Sequence, residues 1–315
     1  MEQFLSALPA TLIQGLIYAL ISLGVYITYS ILDFPDLGVD GTFPLGAAVT
    51  AVLLTKGVSP WLTLPIAMGV GALAGLFTGF IHVRLKVRDL LAGIITMTAL
   101  FSINLQIAGS NLTIERATDT IFSSRAVMAA FGGMTLTGRK ILVSLLLVIA
   151  VKLLMDAYFR TKSGLLLRAV GDNASLVTTL AKDRGRMKIL GLAISNALVA
   201  LAGCIVCHES RSFSATMGTG QLVYGLAAVI IGISLAHAYS GGMERLTSCR
   251  KGILRILTHP AGTTAVIVGS ILYKTCIQAA MSMGVPANMM KLVTALLFLL
   301  VLVLSGRKGE EIIRA

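Results

Sequence analysis

Charge is what this chain has least of. Of its 315 residues only 13% are Asp, Glu, Lys or Arg, about half the roughly 25% of a soluble domain. Acidic residues are scarcer still, 14 against 26 basic. A chain so poor in charge cannot dress the surface of an ordinary water-soluble globule. Hydrophobic residues make up 56% of it and its mean hydropathy is +0.88, which points to a bilayer as its solvent.

Catalytic motifs are missing as well. No G-x-x-x-x-G-K-[ST] phosphate loop occurs, which excludes ATP binding by that route. Neither a G-x-S-x-G nucleophile elbow nor a His/Glu/Cys set with metal spacing is present, so an enzyme site, a metal or a cofactor has no support. Cysteines number 4: Cys204, Cys207 and Cys276 fall in apolar runs and Cys249 in a basic loop, an arrangement that gives no disulfide framework. Cys204-Ile-Val-Cys207-His208 spells the attachment pattern of c-type haem. It closes an apolar helix rather than a solvent-accessible loop, however, and no second iron ligand accompanies it. Residues Met1 to Leu32 lack a basic n-region and a small-residue cleavage site and read as a retained first helix.

What is present is a succession of apolar stretches near the roughly 20 residues that cross a bilayer. Nine are expected, at 10–32, 43–56, 60–82, 88–108, 139–160, 188–207, 221–236, 261–283 and 289–305. The reading is an all-α polytopic helical bundle, one transmembrane domain over 1–315, whose second and seventh passes are short for a full crossing. The net charge of +12 sits mostly in loops, where anionic lipid headgroups account for it better than nucleic acid does. Arg84, Lys86 and Arg88 mark one inside loop, Arg160 to Lys188 a second, Arg245 to Arg255 a third, and Arg307, Lys308 and Arg314 an inside tail. Parity then places the N-terminus outside. The longest outside loop, Gly109 to Gly138, either faces an extracytoplasmic partner or is plain surface.

The inside loop 160–188 is unusually organised. Its seven basic residues are Arg160, Lys162, Arg168, Lys182, Arg184, Arg186 and Lys188, set against Asp172 and Asp183. Its middle reads as a short helix: Asp172 or Asn173 at the N-cap, Lys182 and Arg184 where the dipole favours cations, Gly185 as the stop. Leu176, Val177 and Leu180 form an apolar patch on that helix. The segment is either a docking surface or a solvated connector.

A weak internal repeat is also visible. Leu37 to Val49 leads into the second pass and Met217 to Val229 into the seventh. Each has paired glycines, a further glycine five positions on, and then Ala-Ala-Val. By loop charge the first lies on the inside and the second on the outside. Short, glycine-interrupted segments in oppositely oriented halves mark inverted-repeat transporters, although two Gly/Ala-rich membrane segments can also resemble each other by composition alone.

Polar residues at bilayer depth are costly and face a partner or a wet path. Asp33, Asp36 and Asp40 cluster beside Pro35 and Gly38, where a broken backbone either lines a cavity or caps helices at the interface. Lys274, near the middle of the eighth pass, needs a carboxylate or water at a subunit boundary. Lys152 and Asp156 have i,i+4 spacing and read as a structural ion pair. Asn104, Gln106, Asn196 and Gln278 either bond a solute or link helices.

These segments carry a family resemblance. Gly164-Leu165-Leu166-Leu167-Arg168-Ala169-Val170-Gly171-Asp172-Asn173, then Ala181, then Leu190 to Gly203, resembles the signature of ABC-importer permeases of the branched-chain amino acid and ribose type. In them a G-x-x-x-R-A-x-G-x-N segment precedes a short coupling helix and a small-residue membrane helix. Leu32 to Val49 and Met217 to Ile233 are similar to the pore-region segments of that family. The resemblance implies a plasma-membrane permease dimer, two cytoplasmic ATPase subunits that hold the ATP, and an extracytoplasmic solute-binding protein. It assigns Gly171, Asp172, Asn173, Leu176 and Leu180 to the ATPase groove. Asp40, Gly41, Gly218, Gly220 and Gln221 would lie near the translocation path, to which Asp36, Asn104 and Asn196 are candidates from their own polarity. The chain looks most similar to permeases paired with binding proteins for aromatic amino acids or uncharacterised solutes. It departs from relatives at Lys182-Asp183-Arg184-Gly185 and in a longer, more polar inside loop at 236–260. An ion-coupled secondary transporter using Asp36, Asp40 or Lys274, and a non-transporting scaffold, are the competing readings.

Overall fold

The computed structural model describes residues 2–172, 184–246, 262–286 and 289–314. All nine expected passes are helical. In chain order they and their neighbours are α1 (Glu2–Val25), which continues through a π-helical turn at Tyr26–Ile31, α2 (Val39–Thr55), α3 (Pro60–Arg84), α4 (Asp89–Ala108), β1 (Asn111–Thr113), α5 (Arg125–Phe131) and α6 (Leu136–Phe159). Then come α7 (Lys162–Asp172), α8 (Arg184–Ser210), β2 (Ser212–Ser214), α9 (Gln221–Leu246), α10 (Gly262–Ser282) and α11 (Met290–Arg314). Among the described residues 6 helical segments are long and apolar enough to cross a membrane. The apolar parts of α2, α9 and α11 are shorter, at Val39–Thr55, Gln221–Ala236 and Lys291–Val303. The protein is a multi-pass all-α membrane protein, as a backbone that must satisfy its own hydrogen bonds in lipid requires.

Three features differ from the sequence reading. α9 runs to Leu246, past residue 236 where its apolar run ends, because helix hydrogen bonding continues through polar residues. α8 starts at Arg184 rather than 188 for the same reason. The third is a two-stranded antiparallel ribbon with Asn111 opposite Ser214 and Thr113 opposite Ser212. Its strands are too short to show a period and pair across a long separation in sequence.

The chain forms two compact units, one of residues 24–222 and one of 1–23 with 223–315. In the first, α3 packs on α8 through Gly71, Gly75 and Gly79. A side-chain carbon at these positions would run into the backbone of Asn196, Leu192 and Ile189 respectively. Gly46 of α2 likewise lies on the Ala200 carbonyl, and Gly203 of α8 on the Phe43 carbonyl. Small residues at these crossings let backbones approach closely where lipid supplies no hydrophobic drive. α2 and α8 run parallel: Thr42 meets Asn196, Gly46 meets Ala200, and Leu54 shares a core with Cys207, Ala51 and Phe213. α2 therefore begins about 18 Å along α8, at 1.5 Å per residue, deep within the span. The ribbon joins the loops after α4 and α8, both assigned outside by charge. At the other end His82 lies 2.9 Å from the Val87 carbonyl and 3.4 Å from Lys188 Nζ, bringing together loops assigned inside.

In the second unit Tyr224, Ala227, Ala228, Tyr273 and Ile277 form a core with Tyr18, Leu297 and Phe298 against it. The Tyr224 hydroxyl donates to the Ser270 carbonyl at 2.9 Å, and Ser270 Oγ donates to the Gly15 carbonyl at 3.0 Å. Gly232 and Gly269 sit against the Ala265 and Ala228 carbonyls.

Candidate translocation site

The site begins at the break in helix between the π turn and α2. Asp36, 0% exposed, holds that break: its Oδ1 accepts the Gly38 amide at 2.8 Å and its Oδ2 accepts Asn196 Nδ2 at 2.7 Å. Asn196 Nδ2 also donates to the Leu192 carbonyl at 3.0 Å, and the Thr42 hydroxyl lies 2.7 Å from Asn196 Oδ1. Every polar atom of the Asn196 side chain is thus engaged, and both Asn196 and Thr42 are 0% exposed. The carboxylate fixes which way the amide faces, because only the NH2 end can approach it. Asp36 and Asn196 therefore anchor the broken backbone.

Asp40 follows, in the first turn of α2. Its Oδ2 accepts the Gly220 amide at 3.0 Å and its Oδ1 the Leu222 amide at 2.8 Å. These are among the free amides at the start of α9, where a carboxylate also meets the positive end of the helix dipole. Gly220 takes φ +88, a left-handed conformation natural to glycine. Gly218 lies against the Asp40 carbonyl and the Pro44 ring. Pro44 has no N–H, so that carbonyl lacks its usual helical partner. The two repeat segments thus meet at their glycine entrances, one arriving from each side.

Beside this junction is a cavity of about 330 Å³ lined by Asp40, Gly41 and Pro44 of α2, by Met97, Thr98, Phe101 and Asn104 of α4, and by Ala215 and Thr219. Asn104 is 0% exposed, and its Nδ2 donates to the Gly41 carbonyl at 3.1 Å. Its Oδ1 has no hydrogen-bond partner. Gln221 Nε2 donates to the Met217 carbonyl at 2.9 Å, and its Oε1 is likewise buried without a partner.

Of the path candidates, the structure brings Asp40, Gly41, Asn104, Gly218, Gly220 and Gln221 to one place and sets Asp36 and Asn196 in the adjoining buried network. Asp33 is exposed with φ +50. Lys152 and Asp156 form the i,i+4 ion pair at 2.7 Å. Among the described residues Lys274 has no carboxylate partner; its Nζ lies 4.5 Å from the centre of the Tyr18 ring and 5.9 Å from that of Tyr224. Cys204, Cys207 and His208 are 0%, 0% and 1% exposed in α8, inside packed protein with no access for a porphyrin. Of the ATPase-groove candidates, Gly171 packs on the Ile31 carbonyl and Asp172 is the last residue of α7. Asn173, Leu176 and Leu180 lie outside the described residues. The sequence reading missed Met97, Thr98 and Phe101. The i,i+4,i+7 spacing of Met97, Phe101 and Asn104 puts them on one helical face and was the available signal.

A membrane bundle in which two broken helices meet at depth, with unmatched polar atoms beside a cavity, is the architecture of a solute permease. The chain belongs to the family described as the permease component of branched-chain amino acid transport systems, matched over residues 8–302. It is 38% identical over 296 residues to a tyrosine transport system permease of Clostridioides difficile, covering 94% of this chain and 90% of the relative. It is 26% identical to a probable branched-chain amino acid transport permease of Methanocaldococcus jannaschii (71% and 73% covered) and 27% identical to the ribose import permease of Haemophilus influenzae (77% and 72%). No solved structure matches. The protein is a non-catalytic, multi-pass permease component of an ABC import system, which sets aside the ion-coupled reading.

Proposed function

We propose that this permease carries a small amino acid, of the aromatic kind, along a path through the Asp40 junction, driven by ATP hydrolysis in a partner chain. The observation that carries the path is the capping of α9 by Asp40 of α2: any motion that separates the two repeat entrances must break two charge-assisted hydrogen bonds. The name of the Clostridioides relative supports the cargo. In this reading the whole chain is one permease domain, paired with a second permease subunit. It holds no cofactor of its own. Cytoplasmic ATPase subunits dock on loop 160–188 through Gly171, Asp172, Asn173, Leu176 and Leu180, and an extracytoplasmic binding protein delivers the solute to the opposite face. That outer face offers a cavity of about 610 Å³ lined in part by Trp61, Asp119 and Arg125.

The test is uptake into proteoliposomes holding the permease with its ATPase and binding protein. Labelled L-tyrosine should enter only with ATP inside the ATPase compartment, and entry should survive collapse of ion gradients. Uptake that follows an ion gradient without ATP rejects the proposal.

A further inference from the structure

The cavity beside Asp40 is one-sided in its chemistry. Its polar lining is the Asp40 carboxylate, the Asn104 amide and the hydroxyls of Thr98 and Thr219, and no Lys, Arg or His is among its lining residues. Asn104 cannot turn its amide round, because Nδ2 is held by the Gly41 carbonyl at 3.1 Å. Its Oδ1 is left as a buried acceptor with nothing donating to it. Such an atom has given up its water without a replacement until a donor arrives. Asp40, though partnered, also keeps acceptor capacity. Its oxygens accept two backbone amides, and a carboxylate has about four acceptor sites. The remaining wall is apolar and polarisable: Met97, and Phe101, which is 45% exposed.

We infer that this cavity binds the cationic, N–H-bearing end of the solute: an ammonium held by Asn104 Oδ1 and Asp40, on an apolar or aromatic body that lies against Phe101 and Met97. A carboxylate or phosphate end would meet Asp40 and the Asn104 oxygen with no cation to receive it. The Phe101 ring face adds attraction for a cation. At about 330 Å³ the space suits one small solute, at the lower end of the roughly 300–1,000 Å³ of ligand pockets. The inference rests on the reading of this cavity as part of the path, and it sets which end of the cargo, the amine end, occupies it.

The experiment uses the purified full-length permease in lipid nanodiscs, without ATPase or binding protein, titrated with phenethylammonium and with phenylacetate at equal ionic strength. Phenethylammonium should bind saturably and phenylacetate should not. Asn104→Leu should weaken phenethylammonium by roughly tenfold or more, the loss expected when a site loses one of the acceptors that hold its donor. Asn104→Asp, which keeps an acceptor there, should bind at least as well as wild type. Should Asn104→Leu fail to fold, Thr98→Val and Phe101→Leu take its place, and each should weaken binding. The inference is overturned if the anion binds as tightly as the cation, if folded wild type shows no saturable binding of the cation, or if every folded variant binds as wild type does. ATP-driven uptake is measured separately, so failure here leaves the permease reading intact, and failure of uptake leaves this binding result to stand by itself.

Discussion

Asp40 Oδ1 accepts the Leu222 amide at 2.8 Å, so a side chain in the first turn of α2 caps the first turn of α9. The second oxygen takes Gly220 at 3.0 Å. Capping by a residue remote in sequence ties two chain breaks into one junction. Loss of a capping side chain costs about 0.5–2 kcal/mol. Asp40→Ala should lower the thermal midpoint of the purified permease and cut transport more than tenfold. Asp40→Asn, which keeps one acceptor oxygen, should fall between the two. Equal transport by Asp40→Ala and wild type would remove the junction from the path.

The Asp36, Asn196 and Thr42 cluster makes a sharper energetic claim. Removing a donor from a buried carboxylate costs more than the roughly 1–3 kcal/mol of a neutral unsatisfied group, because the carboxylate keeps its burial and is left with the Gly38 amide alone. Asn196→Leu should therefore unfold or nearly unfold the permease in detergent. Thr42→Val should cost only about 1 kcal/mol, a single neutral hydrogen bond. Since both act through Asn196, the double variant should lose less than the sum, read as a double-mutant cycle on thermal midpoints. Strict additivity would show that the cluster does not act as a unit.

Glycine spacing gives a stability contrast within one helix. Gly75 of α3 faces the Leu192 carbonyl, whereas a side-chain carbon at Gly69 meets nothing within 4 Å. Gly75→Leu should abolish a monodisperse product on size-exclusion chromatography, since the helices cannot approach. Gly69→Ala should be neutral or slightly stabilising, as Ala exceeds Gly by about 1 kcal/mol in a helix. Loss of fold in both variants would point to a general intolerance of α3 rather than to this crossing.

Lys274 tests whether a buried cation is tolerated on aromatic faces alone. A lysine at mid-membrane costs about 2.5–3.5 kcal/mol on insertion scales. A desolvated cation on an aromatic ring returns about 2 kcal/mol, and the ring of Tyr18 lies 4.5 Å away. The two nearly offset each other. Lys274→Met should keep the thermal midpoint close to wild type, and Tyr18→Leu should lower it, because it leaves the cation without its nearest ring. A large loss in Lys274→Met would reveal a partner for the ammonium other than these rings.

Much of this architecture was legible beforehand, and the reasons differ by feature. Hydropathy located the passes because span length follows bilayer thickness. The Leu37–Val49 and Met217–Val229 segments were legible as a pair because their glycines recur at similar spacing ahead of Ala-Ala-Val. The capping of Gly220 and Leu222 by Asp40 was not, since it joins residues some 180 positions apart. Nor was the cavity wall of Met97 and Phe101 read: apolar side chains on α4 serve lipid and cavity alike, and only their i,i+4,i+7 spacing with Asn104 places them on that residue's face. The continuation of α9 past residue 236, as far as Leu246, was missed because hydropathy reports composition, while helix hydrogen bonding carries on through polar residues.

The proposed ATPase contact yields a last prediction, from sequence pattern. Leu176 and Leu180 are i,i+4 apolar residues in a segment with seven basic side chains, and on a helix such a pair shares one face. If that face fills an apolar groove on the ATPase, a carboxylate placed there would be desolvated without a partner, at a cost of several kcal/mol. Leu176→Asp/Leu180→Asp should then abolish co-purification of the ATPase while leaving the permease monodisperse in detergent. The charge-neutral control Leu176→Met/Leu180→Met should retain the ATPase. A double Asp variant that still carries it into the membrane fraction would move the docking surface elsewhere on the inside loops, with Arg245 to Arg255 the next segment to test.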